Sequence, residues 1–230
     1  MTDASSALQT LEKDAREIFG SRLQSLVRYG AKAKLVHALM VVDSLTADDL
    51  RACAGRVSAW HDEGLATPLM LPASELSRSL DAFPFELSAI IGDHTVVTGR
   101  NPFEGLRVEA NDLRWACEVQ ARSHLLHLRE GYLETRGRAD ALSDLIVHSA
   151  PAFAGLIASV ARLEGHAGDD PAAAARHVER LLSLPGAVTE ITKLSSVKEI
   201  PSAEAERLFA PYLAAVERLV SHVDGWTRGR

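Results

Sequence analysis

The chain has 230 residues, 47% of them hydrophobic and 24% charged, with two cysteines and a formal net charge of −6. That content can bury a core, which excludes a disordered chain, and the length accommodates one large domain or two small ones. Basic and acidic residues number 10 and 14 up to Gly105 and 15 and 17 beyond it, so neither part is a basic block and a nucleic-acid partner is not expected.

Cys53 and Cys117 lie far apart with no CxxC spacing, which excludes a disulfide scaffold and reads as two small buried hydrophobes. The N-terminal stretch lacks the charged-then-apolar layout of a secretory signal, and no apolar run approaches about 18 residues. A cytoplasmic protein with no membrane association is the expectation.

In chain order, Leu8, Leu11, Ala15, Ile18 and Phe19 recur at helical spacing and predict a first helix from Ser5 to about Arg22. The period then changes. Leu26–Tyr29, ending at Gly30, and Leu39–Val42, ending at Asp43-Ser44, read as two neighbouring strands. Thr46 with Asp48 and Asp49 is an N-cap with first-turn acids, opening a helix expected to reach about His61. A strand fits Thr67–Leu71, a helical segment Ser74–Leu80, and the alternation Phe83, Phe85, Leu87 followed by Ile90 and Ile91 predicts another strand. Val96 and Val97 before Gly99 predict a short edge strand.

The turn formers from Asn101-Pro102 to about Asn111 separate this region from one rich in alanine, leucine, arginine and glutamate. Helices are predicted over about 112–136, 139–163, 171–184 and 203–226, with a polar loop at 165–170 and Pro171 suited to a first helical turn. Four such helices form a bundle. The predicted fold class is therefore α+β: a mixed sheet with helices over residues 1–105, then an all-α bundle over 106–230.

The segment Phe19-Gly20-Ser21-Arg22 through Tyr29-Gly30-Ala31 resembles the entry to the nucleotidyltransferase domain of the DNA polymerase β superfamily. The resemblance extends to Phe83–Leu87, the place of a third carboxylate, and to the helix from Leu113 through Tyr132. It implies transfer of a nucleotidyl group from a nucleoside triphosphate, with two magnesium ions held by three acids, because hard divalent ions need oxygen ligands at fixed spacing. Aligned on the strand Leu39–Val42, the Asp-x-Asp positions are Val36 and Ala38, with His37 between them, and Ala31 replaces the motif's serine. Gly30 is retained, and Glu86 alone survives of the three acids.

The expected ligand-binding residues are Gly30, Ala31, Lys32, Lys34 and Glu86 with Arg114 and Arg122, in a cleft between the domains that Val36, Ala38 and Glu118 also line. No catalytic residue is expected beyond the vestigial Glu86, and no metal site or cofactor. The function implied is that of an inactive nucleotidyltransferase-fold protein that binds a small molecule or a protein partner, with self-association left open. Two alternatives remain. One is an active nucleotidyltransferase using magnesium and a nucleoside triphosphate through relocated acids, Asp43 and Glu86; the other is a helical interaction module of antitoxin type.

Other constellations carry less. Among nine scattered histidines only His124 and His127 share a helix face at i, i+3, which is not a dedicated ligand set. Arg122 and His127 have a spacing that resembles the ribonuclease motif of HEPN-type bundles, without the basic groove a nuclease requires. Trp60, Trp115 and Trp226 read as core or interface anchors. No Walker A loop, Gly-x-Gly-x-x-Gly, His-Glu-x-x-His or Gly-x-Ser-x-Gly pattern occurs, which removes the commonest other enzyme classes.

Overall fold

The computed structural model describes residues 4–31, 35–166, 168 and 170–227. Helix α1 (Ala4–Phe19) buries Ala7, Leu8, Leu11, Ala15 and Phe19 along one side, as an amphipathic stripe must. Gly20, at φ +55°, adopts the left-handed backbone that ends a helix without a Cβ clash. One 3-10 turn then leads into β1 (Leu23–Tyr29).

β1 pairs antiparallel with β2 (His37–Val42), Val27 standing opposite Leu39. β3 (Leu69–Pro72) adds to β2 in parallel, and β4 (His94–Gly99) adds to β1 antiparallel. The order is β3-β2-β1-β4, so β3 and β4 are the edges. At Gly99 a Cβ would lie 2.0 Å from the Gln24 carbonyl oxygen, so only glycine lets β4 approach β1 there.

Both faces of the sheet are covered, which is why Ala38 to Val42 read as one continuous buried run rather than as an alternation. On one face Leu26, Ala38, Met40 and Val42 pack with α1, with Cys53 of α2 (Ala47–Ala54) and with Trp60 of α3 (Val57–Asp62). On the other, Val27, Leu39 and Val41 meet Leu76 of α4 (Ala73–Leu76), Leu87 and Ile90 of α5 (Pro84–Gly92), and Phe103.

Two expectations are corrected here. The helix expected from Thr46 to His61 is two helices, broken at Gly55 and Arg56. The break lets Arg56 donate to Asp14 at 2.6 Å and Glu17 at 3.0 Å while the Trp60 Nε1–H reaches Asp14 at 2.8 Å. The strand expected at Phe83–Ile91 is helix α5. Pro84 opens it, and its buried residues are Pro84, Leu87 and Ile90, a three-residue spacing that places one helical face on the sheet. The apparent alternation left Phe83 outside the helix and 57% exposed.

The chain divides into two compact units, Met1–Glu109 and Ala110–Arg230. The second contains α6 (Ala110–Glu134), α7 (Ala139–Leu163), α8 (Pro171–Leu182), α9 (Ala187–Lys193) and α10 (Ser202–Asp224). Helix α9 was not expected: Pro185-Gly186 reads as a loop, and seven residues give too short a pattern to register. The polar loop expected at 165–170 falls partly outside the described residues. Helix α7 is long and apolar enough to cross a membrane by composition, with half of its apolar window buried. It is the helix on which α6, α8, α9 and α10 all pack, as the central helix of a bundle does. The fold class is α+β.

Candidate functional site

The turn after β1 is where the resemblance puts phosphate recognition. Gly30 has φ +66°, a conformation that turns successive backbone N–H groups toward a common point. In this chain that point is filled from within. The Ala31 N–H donates to the Asp93 carboxylate at 2.7 Å, and the Gly30 N–H to the Asp93 carbonyl at 3.3 Å. Asp93 directly follows α5, so the end of that helix fastens the turn. Lys32 and Lys34 lie outside the described residues.

Of the two positions where the resemblance puts acids, Ala38 lies in the core and Val36 is half-buried against it. Val36 makes a parallel bridge to Leu65, donating its N–H to the Gly64 carbonyl at 3.0 Å and accepting from Ala66 at 2.9 Å. Ala38 is 1% exposed and packs in the cluster that contains Trp60 and Leu65. His37, pointing the other way, contacts the Tyr29 ring at 5.4 Å. The adjacent parallel strand β3 reads Leu-Met-Leu-Pro and carries no acid.

Glu86 does not join these residues. It lies in the first turn of α5, exposed, at a cavity of about 320 Å³ formed with Leu39, Leu69, Leu71, Phe83, Leu87 and Ile90. Leu39, Leu87 and Ile90 belong to the opposite face of the sheet from Ala38. Asp43, the other acid of the alternative reading, is five residues beyond Ala38, about 16 Å along an extended chain. It accepts a hydrogen bond from Gln24.

Arg114 and Arg122 sit on α6 in the second unit, where acids already hold them. Arg114 donates to Glu118 at 2.7 Å, and Arg122 to Glu118 at 3.0 Å and Asp224 at 2.8 Å. The Glu118 carboxyl is lowered by the hydrogen bonds from Arg114 and Arg122, and Arg122 is raised chiefly by that to Glu118. His127 pairs instead with Glu130 at 3.3 Å, so Arg122 and His127 have different partners.

The bundle also contains a polar chain that spacing did not reveal. The buried Tyr212 hydroxyl lies 2.6 Å from His124 Nε2 and donates to Ser149 at 3.1 Å. Burial, assisted by the charge of His127, pushes His124 down to about 4 and keeps it neutral at pH 7. Burial likewise pushes the Cys117 thiol up to about 12, which makes it unreactive. Among the described residues no three His, Cys, Asp or Glu side chains converge as a metal site.

No family model matches the sequence, and no curated protein matches it. Among solved structures the chain is similar to spectinomycin adenyltransferase AAD(9) from Enterococcus faecialis, solved with ATP and spectinomycin. The TM-score is 0.60 at 11% identity, over 93% of this chain and 98% of that one. The fold is nucleotidyltransferase-like. At that identity the likeness concerns the path of the backbone. It leaves the chemistry to the side chains.

Asp93 is the residue of this site that sequence reasoning missed. It is separated by 62 positions from its partner Ala31, and an Asp after a helix carries no local mark of such a contact.

Proposed function

We propose that the chain is a catalytically inactive nucleotidyltransferase-fold protein of the cytoplasm that acts by binding a ligand or partner. The observation that carries this reading is the burial of Ala38, 1% exposed in the core, at the position where the resemblance puts a metal-holding carboxylate. The methyl of Ala38 and the isopropyl of Val36 offer no oxygen to a magnesium ion, and β3 supplies none, so these residues do not fit a magnesium-held triphosphate. The turn supports the same reading. Its Ala31 N–H, which an intact site would offer to a phosphate oxygen, is bonded to Asp93, and a phosphate there would meet a carboxylate of like charge.

Nucleotidyl transfer needs charge neutralisation at the phosphate and activation of the acceptor hydroxyl, and both are lost with the acids. Incubation with each nucleoside triphosphate, magnesium or manganese, and acceptors including spectinomycin should release no pyrophosphate above that of a mock purification. Turnover that is abolished by Glu86→Ala or Asp43→Ala would replace this reading with the relocated-acid enzyme. In thermal-shift assays ATP should leave the melting temperature unchanged with or without magnesium, because a ligand above its dissociation constant stabilises only a state it binds.

A further inference from the structure

The cavity between α5 and the edge strand β3 is separate from the altered nucleotidyltransferase site. It lies over the Leu39 face of the sheet, whereas Ala38 belongs to the opposite face. Its volume of about 320 Å³ falls within the range of small-molecule pockets, roughly 300–1,000 Å³. Two rim residues, Phe83 at 57% and Leu69 at 43% exposure, present apolar surface at its mouth.

Among the described residues, two polar side chains line the cavity, Ser79 and Glu86. The Ser79 hydroxyl is already committed to the Glu75 carbonyl at 2.8 Å. Glu86 has no hydrogen-bond or ion-pair partner among the described residues. Among the described residues the site therefore combines an apolar chamber with one exposed carboxylate at its mouth that no side chain pairs.

We propose that this cavity binds a small organic cation with an apolar body, an arylalkyl or alkyl amine, with its hydrocarbon against Leu39, Leu71, Leu87 and Ile90 and its ammonium group on Glu86. The carboxylate selects the cation and the apolar walls supply the affinity. The inference is independent of the loss of the strand carboxylates, because no residue of the Gly30 turn or of positions 36 and 38 lines the cavity.

Three probes of one shape separate charge from shape: 4-phenylbutylamine, 4-phenylbutanol and 4-phenylbutyrate, titrated into the full chain with methyl-labelled leucine and isoleucine and followed by NMR. The amine should produce saturable shifts at Leu39, Leu69, Leu71, Leu87 and Ile90. It should bind about fivefold tighter than the alcohol, the size of an exposed ion pair, and the butyrate should bind weakest. Glu86→Gln should bring the amine to the level of the alcohol. Leu69→Trp, which crowds the mouth from an exposed position, should weaken all three alike without unfolding the chain. Shifts centred elsewhere, no saturation at those methyls, or a preference for the amine that survives Glu86→Gln would each overturn the proposal. None of these readouts involves a nucleotide, so their failure is distinguishable from failure of the inactive-enzyme reading.

Discussion

The two faces of the four-stranded sheet have the same strands and opposite characters. On the Ala38 face, α1, α2 and α3 press a continuous core onto the sheet, locked by Asp14 at 5% exposure, which accepts from both Arg56 and the fully buried Trp60. On the Leu39 face, α5 and β3 leave an open cavity whose acid, Glu86, has no partner among the described residues. The motif resemblance puts the metal-holding acids on the first face, where Ala38 is packed into the core. The face with room for a ligand is the other one. Likeness of fold is shared backbone, and the side chains decide whether a site exists.

The sharpest way to break this contrast is Ala38→Asp, which restores one metal-ligand position. A carboxylate at a site 1% exposed, with no partner placed for it, should cost about 3 kcal/mol or more, read as a lower urea midpoint at unchanged slope. A variant that kept wild-type stability and bound magnesium would mean that the first face is an open site. Next in size, Asp14→Ala strands the Trp60 indole N–H in the core and removes the partner of Arg56, and a loss of about 2 kcal/mol is expected in the same titration. Trp60→Phe in the Asp14→Ala background should recover part of it, since the stranded donor is then gone.

Smaller and dependent on pH is the clamp between Arg22 and Asp49, paired at 2.7 and 2.8 Å. The hydrogen bonds from Arg22, and then those from Thr46, hold the Asp49 carboxyl well below its usual range. A carboxylate lowered on folding contributes stability that is present above its unfolded value and lost as pH falls through the folded one. The stability gap between wild type and Asp49→Asn should stay constant above about pH 5 and narrow as pH falls below about 4. A gap that widened in acid would contradict the pairing. The smallest effect belongs to the open face: Glu86→Gln should change stability by no more than about 0.5 kcal/mol, measured by thermal unfolding. A larger loss would show that Glu86 has a structural partner and would remove the argument for a free charge at the cavity.

Local chemistry determined much of this protein. The stripe of α1, the Thr46–Asp49 cap, strands β1 and β2, and the span of α7 at Ala139–Leu163 all follow from periodicity and turn residues, because each is fixed by contacts a few residues apart. So was the chemical gap at positions 31, 36 and 38, which is a matter of residue identity. Tertiary structure alone decided the rest. Phe83 to Ile91 fits a strand by alternation and a helix by the spacing of Pro84, Leu87 and Ile90, and only the sheet beneath α5 selects the helix. That choice moved Glu86 from the expected carboxylate position to a cavity on the other face. Asp93 on the Ala31 amide, Asp14 under Trp60, and Ser149, Tyr212 and His124 in one chain join residues 46 to 88 positions apart. Such pairings leave no local signature, because what brings the partners together is burial of the apolar surfaces around them.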